Sequence, residues 1–418
     1  MVQHRHINHN DMRNRNLALI LNYLHQNGPI SRTDLSLQTG INKASISTTV
    51  RELINRGIVI ETGVKGGVRE VGHPSINLIV NPDAGRVIGV EVEPDCVSAV
   101  ISDIALHFLW RRQVEINNLQ DSQSVFAVVR EVTHQACTEA RSYGLPILGL
   151  GLGVPGLVDI DANILLLAPE LGWRDVDLNP LMADCPDIRF FTGNEAHMSA
   201  LGDCYFGTSR ESVLTVYISW GLGISGGIMV NEDVVPGGLG LAGEVGHITL
   251  DPNGERCACG NIGCWNTLVN QRSIFRRIRE RLDAGHSSIL NDWSAAGQLS
   301  WRLVVQAAQQ GDAVVLDALR EAGHWMGIGI ASLINLLNPE FVILGGPLSQ
   351  FFDFLYPVIR AEVDERTMKW QRDACQIVSS CYHQDACLVG AVATVIWNIL
   401  NNPEESIPQL SKRKRVSV

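Results

Sequence analysis

Apolar side chains at Leu17, Ile20, Leu21 and Leu24 recur at the spacing of one helix face, and Asn27-Gly28 stops that helix. Ser31-Arg32-Thr33-Asp34 reads as a capping box that opens a second, short helix, which Gly40 breaks. Asn42 then caps a third helix running to about Asn55, closed by Gly57. In that helix Ile46, Val50, Leu53 and Ile54 form one apolar stripe. Ala44, Ser47, Thr48, Arg51 and Asn55 point the other way. This outward face is small, hydroxylic and basic, as a helix entering a DNA major groove needs. Residues 58–61 and 76–80 read as strands, and the Gly-rich stretch 63–74 between them as a wing. The pattern alone also fits a three-helix protein-interaction module.

From residue 81 onward the periodicity changes. Residues 87–103 and 213–231 each read as strand, glycine-rich turn and returning strand, which suggests a duplicated unit. Residues 147–159 form a buried strand ending in Gly-Pro-Gly surroundings, and 336–349 a helix end, a strand and a Gly-Gly loop. Helical stretches at 122–142, 300–335 and 388–401 alternate with these strands, so the body is α/β.

Length changes the picture only by allowing two or three domains in 418 residues. Charge changes it more. The net charge of −11 hides a head, residues 1–80, with nine Lys/Arg against five Asp/Glu, on a body of net −15. A mildly basic head can bind DNA on an acidic body. The tail "SKRKRVSV" reads as a solvated basic segment. No uninterrupted apolar run reaches membrane-spanning length, and the polar N-terminus has no apolar signal core, so a cytoplasmic protein with no membrane partner is expected. The ten cysteines are then expected to be reduced.

Three of those cysteines cluster. His247, Cys257, Cys259 and Cys264 give H-x9-C-x-C-x4-C, a set of S and N donors suited to tetrahedral Zn2+, with glycines at 260 and 263 letting the loop turn back. Four protein ligands leave no open position, so a structural ion is expected. The alternative is three thiols beside an unrelated histidine.

The segment "GPISRTDLSLQTGINKASISTTVRELINRGIVIE" resembles the DNA-binding heads of repressors in the ROK family (repressors, open reading frames and kinases). The family pattern SR-x-x-L, TG-(L/I)-(S/N)-K-x-(T/S)-(V/I)-S and L-x-x-x-G-(L/I)-(V/I)-x-E is filled at nearly every slot. The wing departs from it, with Gly72-His73-Pro74 where GGR-(R/K)-P is usual. The resemblance implies operator contacts from Ser31, Arg32, Lys43, Ala44, Ser45, Ser47, Thr48 and Arg51.

The body resembles the same family over its whole length, and glycines 260 and 263 fit the family's zinc loop. The implied fold is α/β: an N-terminal winged helix-turn-helix (1–80) followed by a two-lobed, actin-like (RNase H-like) ROK sugar-kinase fold, with lobes at 81–193 plus 388–405 and at 194–387. The family's sugar motifs map onto Pro155 and Gly156, Asn194 and Glu195, and Glu244 and His247, with Asn266 standing where a Glu is usual. Glu195 replaces the Asp that serves kinases as general base, an exchange that does not by itself exclude a kinase. The phosphate motifs argue more strongly. Glu91-Val92-Glu93-Pro94-Asp95 stands in place of D-x-G-x-T, and Gly221-Leu222-Gly223 in place of GTG. An anion at Glu93 opposes a bound phosphate. The expectation is therefore a sugar-responsive repressor, acting as a homodimer or homotetramer on double-stranded operator DNA, with no catalytic residue. A family kinase that kept a DNA-binding head is the alternative, and a scaffold with a vestigial cleft a third. Because Glu195 is one methylene longer than Asp and is negative, an unphosphorylated sugar is expected, with xylose ahead of glucose.

Overall fold

The computed structural model describes residues 9–64, 76–93, 95–116, 121–210, 212–293 and 299–403. Of the stretch 63–74 expected as a wing, residues 65–74 lie outside the described residues, as does the basic tail.

The head forms as its caps dictate. Helices span His9–Asn27, Arg32–Thr39 and Lys43–Asn55. The Ser31 hydroxyl accepts from the Asp34 N–H at 3.1 Å, and Asn42 Oδ1 accepts from the Ser45 N–H at 2.9 Å. Gly40 ends the second helix at φ 71°. The strand Ile76–Val80 pairs antiparallel with both Val59–Val64 and the short strand Ile30–Ser31, framing a winged helix-turn-helix.

Two five-stranded sheets build the body, and they repeat one plan. In the first, the hairpin Arg86–Val92 with Cys96–Ser102 extends antiparallel to Phe108–Glu115 and parallel to Ile147–Val154 and Phe190–Asn194. In the second, the hairpin Leu214–Trp220 with Ile224–Val230 extends antiparallel to Asp233–Val234 and parallel to Phe341–Gly345 and Gln376–Ser379. The two hairpins anticipated from the sequence thus open the two sheets in the same way. The stretch 300–335 is two helices, Trp301–Gln309 and Ala313–Leu337. Gly311 at φ 80° breaks the chain, and the Asp312 carboxylate caps the second helix through the Val315 N–H.

A small antiparallel sheet, Leu157–Asp159, Ile164–Ala168 and Trp173–Asp177, has no counterpart in the sequence reading. Gly156 (φ 114°) precedes it, and a Cβ there would stand 2.5 Å from the Leu167 carbonyl oxygen, so only glycine lets the hairpin lie so close.

The first helix is not confined to the head. Leu17, Ile20, Leu21 and Leu24 are fully buried in one core with Leu201 and Tyr205 of helix Glu195–Phe206 and with Ile396 and Ile399 of helix Ala386–Asn401. Polar contacts reinforce this packing. The Tyr205 hydroxyl donates to Asn22 Oδ1 at 2.8 Å, Asn22 Nδ2 donates to Asn401 Oδ1 at 3.2 Å, and Gln26 Nε2 donates to Glu232 at 2.9 Å. The His25 ring packs edge-on to Phe206. No helix among the described residues is long and apolar enough to cross a membrane.

Candidate functional site

Asn194 ends the strand Phe190–Asn194 in extended backbone and caps helix Glu195–Phe206. Its Oδ1 accepts from the N–H groups of Ala196 (2.8 Å) and His197 (3.3 Å) and from the Ser225 hydroxyl (3.2 Å). Its Nδ2 donates to the Gly156 carbonyl at 2.8 Å, so the Pro155-Gly156 loop and the helix start are tied to one buried amide. Glu195 follows as the first helical residue, half-buried. Burial pushes its carboxyl up to about 7, with the charge of Glu244 acting in the same direction and hydrogen bonds from Ser219 and the Ala196 N–H opposing.

Glu244 stands opposite on the loop before the zinc-type ligands. Burial raises it to about 7 as well. His197 secures this loop: its Nε2 donates to the Ala242 carbonyl at 2.7 Å. His247 then faces two ways. Nε2 lies 3.7 Å from Glu244 Oε2, and Nδ1 lies 3.7 Å from Cys257 Sγ. Cys259 and Cys264 sulfurs are 3.7 Å apart, and the ligand atoms of all four residues fall within 4.8 Å of one another. Gly263 (φ 68°) makes the turn possible, since a Cβ there would collide with the Asp251 carbonyl. Burial pushes the Cys264 thiol up to about 12 and raises Cys257, so bare thiolates are disfavoured unless a cation joins them. The four anticipated ligands are therefore brought together.

Asn266, expected to touch sugar, is 2% exposed. Its Oδ1 accepts from the Ile224 N–H at 2.9 Å and its Nδ2 donates to Glu170 Oε1 at 2.6 Å. Neither Glu170 nor His197 was singled out from the sequence. Gly156, next to Pro155, meets the Asn194 amide through its carbonyl.

The phosphate motifs are filled by the protein itself. Glu91 is 7% exposed, and its Oε2 has no partner among the described residues. Burial, then the charges of Glu93 and Glu195, raise its carboxyl well above the usual range. Cys387 closes the space behind it, since a Cβ on Gly153 would stand 2.2 Å from the Cys387 sulfur. Glu93 accepts from the Ser98 hydroxyl at 2.6 Å. In the other motif, Gly223 has Asn266 and Glu170 within van der Waals reach of where a side chain would start.

On the third helix of the head, Lys43, Ala44, Thr48 and Arg51 are exposed, Ser45 and Ser47 half-buried, and Ile46, Val50 and Leu53 buried. Among the described residues Lys43 and Arg51 have no ion-pair partner, whereas Arg32 pairs with Glu61 at 2.7 Å. The Thr48 hydroxyl donates back to the Ala44 carbonyl at 3.0 Å. Ser31 departs from expectation. It is 4% exposed and its hydroxyl also donates to Asp34, so it holds the second helix instead of offering itself to DNA.

This geometry can be set beside known proteins. The profile of the ROK family matches residues 87–397, and a winged helix-turn-helix DNA-binding profile matches residues 13–60. The chain belongs to the ROK family. A xylose repressor from Caldicellulosiruptor bescii is 30% identical over 95% of this chain and 99% of its own length. Among solved structures, a ROK family transcriptional regulator, a homologue of the Escherichia coli MLC protein, superposes with TM-score 0.79 at 27% identity, covering 95% of this chain and 99% of its own. A ROK family glucokinase from Streptomyces griseus, solved with glucose and AMPPNP, superposes with TM-score 0.64 at 26% identity over 74% of this chain and 99% of its own. The glucokinase match spans only part of the chain; the regulator spans nearly all of it.

Proposed function

We propose that this ROK protein is a cytoplasmic, sugar-responsive transcriptional repressor, and not an enzyme. The head binds a pseudo-palindromic operator as part of a homodimer or homotetramer. The two lobes, 81–193 with 388–405 and 194–387, close around an unphosphorylated sugar between Pro155-Gly156, Asn194-Glu195 and Glu244-His247, and closure lowers operator affinity. The observation that carries this reading is helix Glu195–Phe206, which starts at the sugar residues and ends in the core shared with the first helix of the head. A ligand shifts an equilibrium only by binding one state better, and a helix that runs from the proposed sugar site to the first helix of the head supplies the two states with a common part.

Xylose is the preferred effector in this reading. The extra methylene of Glu195 reaches toward the room a hexose C6 group would need, and the C. bescii relative is named a xylose repressor. The ion is Zn2+ in a structural role. Tetrahedral Zn–S bonds of 2.3 Å place sulfurs about 3.8 Å apart, which suits the 3.7 Å between Cys259 and Cys264.

The likeness to the glucokinase favours a second reading, ATP-dependent sugar phosphorylation. The carboxylates of Glu91 and Glu93 oppose it, because they occupy the phosphate motif with negative or proton-bearing groups.

Fluorescence anisotropy of operator DNA against the full chain, with and without xylose, tests the main reading. Xylose should release the DNA, and sugar with ATP should yield no phosphorylated product. Arg51→Ala should weaken operator binding by about 1–3 kcal/mol through loss of a guanine contact. Retained DNA at saturating xylose, glucose and other free sugars, or turnover with ATP, would reject the reading.

A further inference from the structure

Glu170 sits at the tip of the small hairpin, between strands Ile164–Ala168 and Trp173–Asp177 of the first lobe. Its partner Asn266 lies 96 positions later, on helix Trp265–Val269 of the second lobe. A chain of hydrogen bonds and close contacts continues from this pair. Asn266 Oδ1 accepts from the Ile224 N–H, the next residue Ser225 donates to Asn194, and Asn194 donates to the Gly156 carbonyl. Gly156 packs against Leu167 and Ala168, in the strand that leads to Glu170. The polar chain therefore leaves the first lobe at Gly156 and re-enters it at Glu170.

Within this ring the two members of the pair differ. Asn266 is buried, and its amide is engaged on both sides by protein groups. Glu170 is exposed, one oxygen is fixed by Asn266, and the other has no hydrogen-bond partner among the described residues. An ionised carboxylate with one oxygen fixed and one open is an oriented acceptor for hydroxyl donors. We propose that Glu170 is a sugar-binding residue contributed by the first lobe, that Asn266 positions it, and that the pair selects a sugar presenting a hydroxyl donor at this wall.

The proposal rests on the sugar-responsive reading above. It assigns Asn266 a supporting role in place of direct contact. It also makes sugar binding draw on the small hairpin as well as on the start of helix Glu195–Phe206.

Two substitutions separate this role from a purely structural latch. Gln at 170 still accepts from the Asn266 amide through its carbonyl oxygen, so Glu170→Gln keeps the cross-lobe bond and removes the charged acceptor. Glu170→Ala removes both. Calorimetry of the full chain with xylose should show affinity reduced roughly tenfold or more for Glu170→Gln, the range of a hydrogen bond to a charged group. Zinc content and operator affinity without sugar should stay at wild-type values. Wild-type xylose affinity in Glu170→Gln with loss only in Glu170→Ala would show a latch and overturn the proposal. Wild-type affinity in both variants would overturn it too. Failure of the wild-type chain to bind any sugar of a free-sugar panel would instead overturn the underlying reading, and the proposal with it.

Discussion

Two groups of buried carboxylates lie along the cleft, and their surroundings differ. Glu91 is enclosed beside Cys387, with one oxygen lacking any partner among the described residues, and its neighbours Glu93 and Glu195 raise its carboxyl further. Glu195 is raised by burial too, yet it is half-exposed, and the neighbouring Ser219 hydroxyl and Ala196 N–H oppose the rise. Similar acids are thus set in one pocket that the protein has filled and in another that stays furnished with donors. A kinase needs both halves of such a cleft; a sensor needs only the second. In the proposed reading, loss of phosphate chemistry with retention of a polar sugar wall is what a regulator built on a kinase-like body should show.

The largest effect that would sharpen this contrast comes from the loop beside the open group. Cys259→Ser should lose the metal, with about one zinc per chain in the wild type falling to well under one by elemental analysis after gel filtration. Because His247 joins the thiols to Glu244, sugar affinity should be lost as well. Metal loss with unaltered sugar binding would separate the loop from the cleft and break the comparison.

The filled pocket makes the opposite kind of prediction, one of stability. Glu91 has a folded-state pKa raised above its unfolded value, so the folded chain holds a proton that the unfolded chain releases near 4.5. Its favourable contribution is complete below that pH and is lost as pH rises, at up to about 1.4 kcal/mol per pH unit until the folded group itself ionises. Glu91→Gln removes this dependence. Denaturant titrations between pH 5 and pH 8 should show a flatter profile for the variant and unchanged xylose affinity. An unchanged slope would mean that Glu91 is not the enclosed acid described here.

The head was legible in the sequence because its signals are local: Ser31 and Asn42 cap within three residues, and Gly40 stops a helix by its own conformation. The His/Cys cluster was legible for the same reason, packed into residues 247–264. The small hairpin and Glu170 were not. What distinguishes Glu170 is a bond to Asn266, and nothing in the periodicity of residues 164–177 announces it. The filled pocket was half legible. Glu91 and Glu93 could be read as misplaced charges, but Cys387 reaches Gly153 only through the packing of a helix from the end of the chain. Asn266 shows the limit of motif transfer: its amide is engaged by Ile224 and Glu170 of the protein itself.

A finer test acts on selectivity. Glu195→Asp withdraws the carboxylate by one methylene, so glucose should gain relative to xylose. The ratio of the two affinities should narrow by up to about tenfold, the order expected for one methylene in a fitted pocket. Calorimetry with both sugars reads this directly. A widened ratio would reject the steric account of Glu195.

The smallest expected effect follows the open carboxylate along its own helix. Glu195 begins helix Glu195–Phe206, and Tyr205, near the other end, donates to Asn22 of the first helix at 2.8 Å. Asn22 in turn donates to Asn401, so three helices meet at one polar node inside an otherwise apolar contact. Tyr205→Phe keeps the ring in the core and deletes the hydroxyl. One hydrogen bond of this kind is worth about 0.5–1.5 kcal/mol, a few-fold in an equilibrium. Sugar affinity should change little, because the hydroxyl lies at the far end of the helix from Glu195. Operator affinity without sugar should also stay close to wild type, because the exposed face at Lys43 and Arg51 is untouched. What should fall is the ratio between operator affinities without and with xylose, by a few-fold in anisotropy titrations. If that ratio held while both single affinities held, the node would be packing alone, and signal would have to pass between lobes by another route. If the ratio fell, the open half of the cleft would be joined to the DNA-binding head through helix Glu195–Phe206 and its hydroxyl at Tyr205.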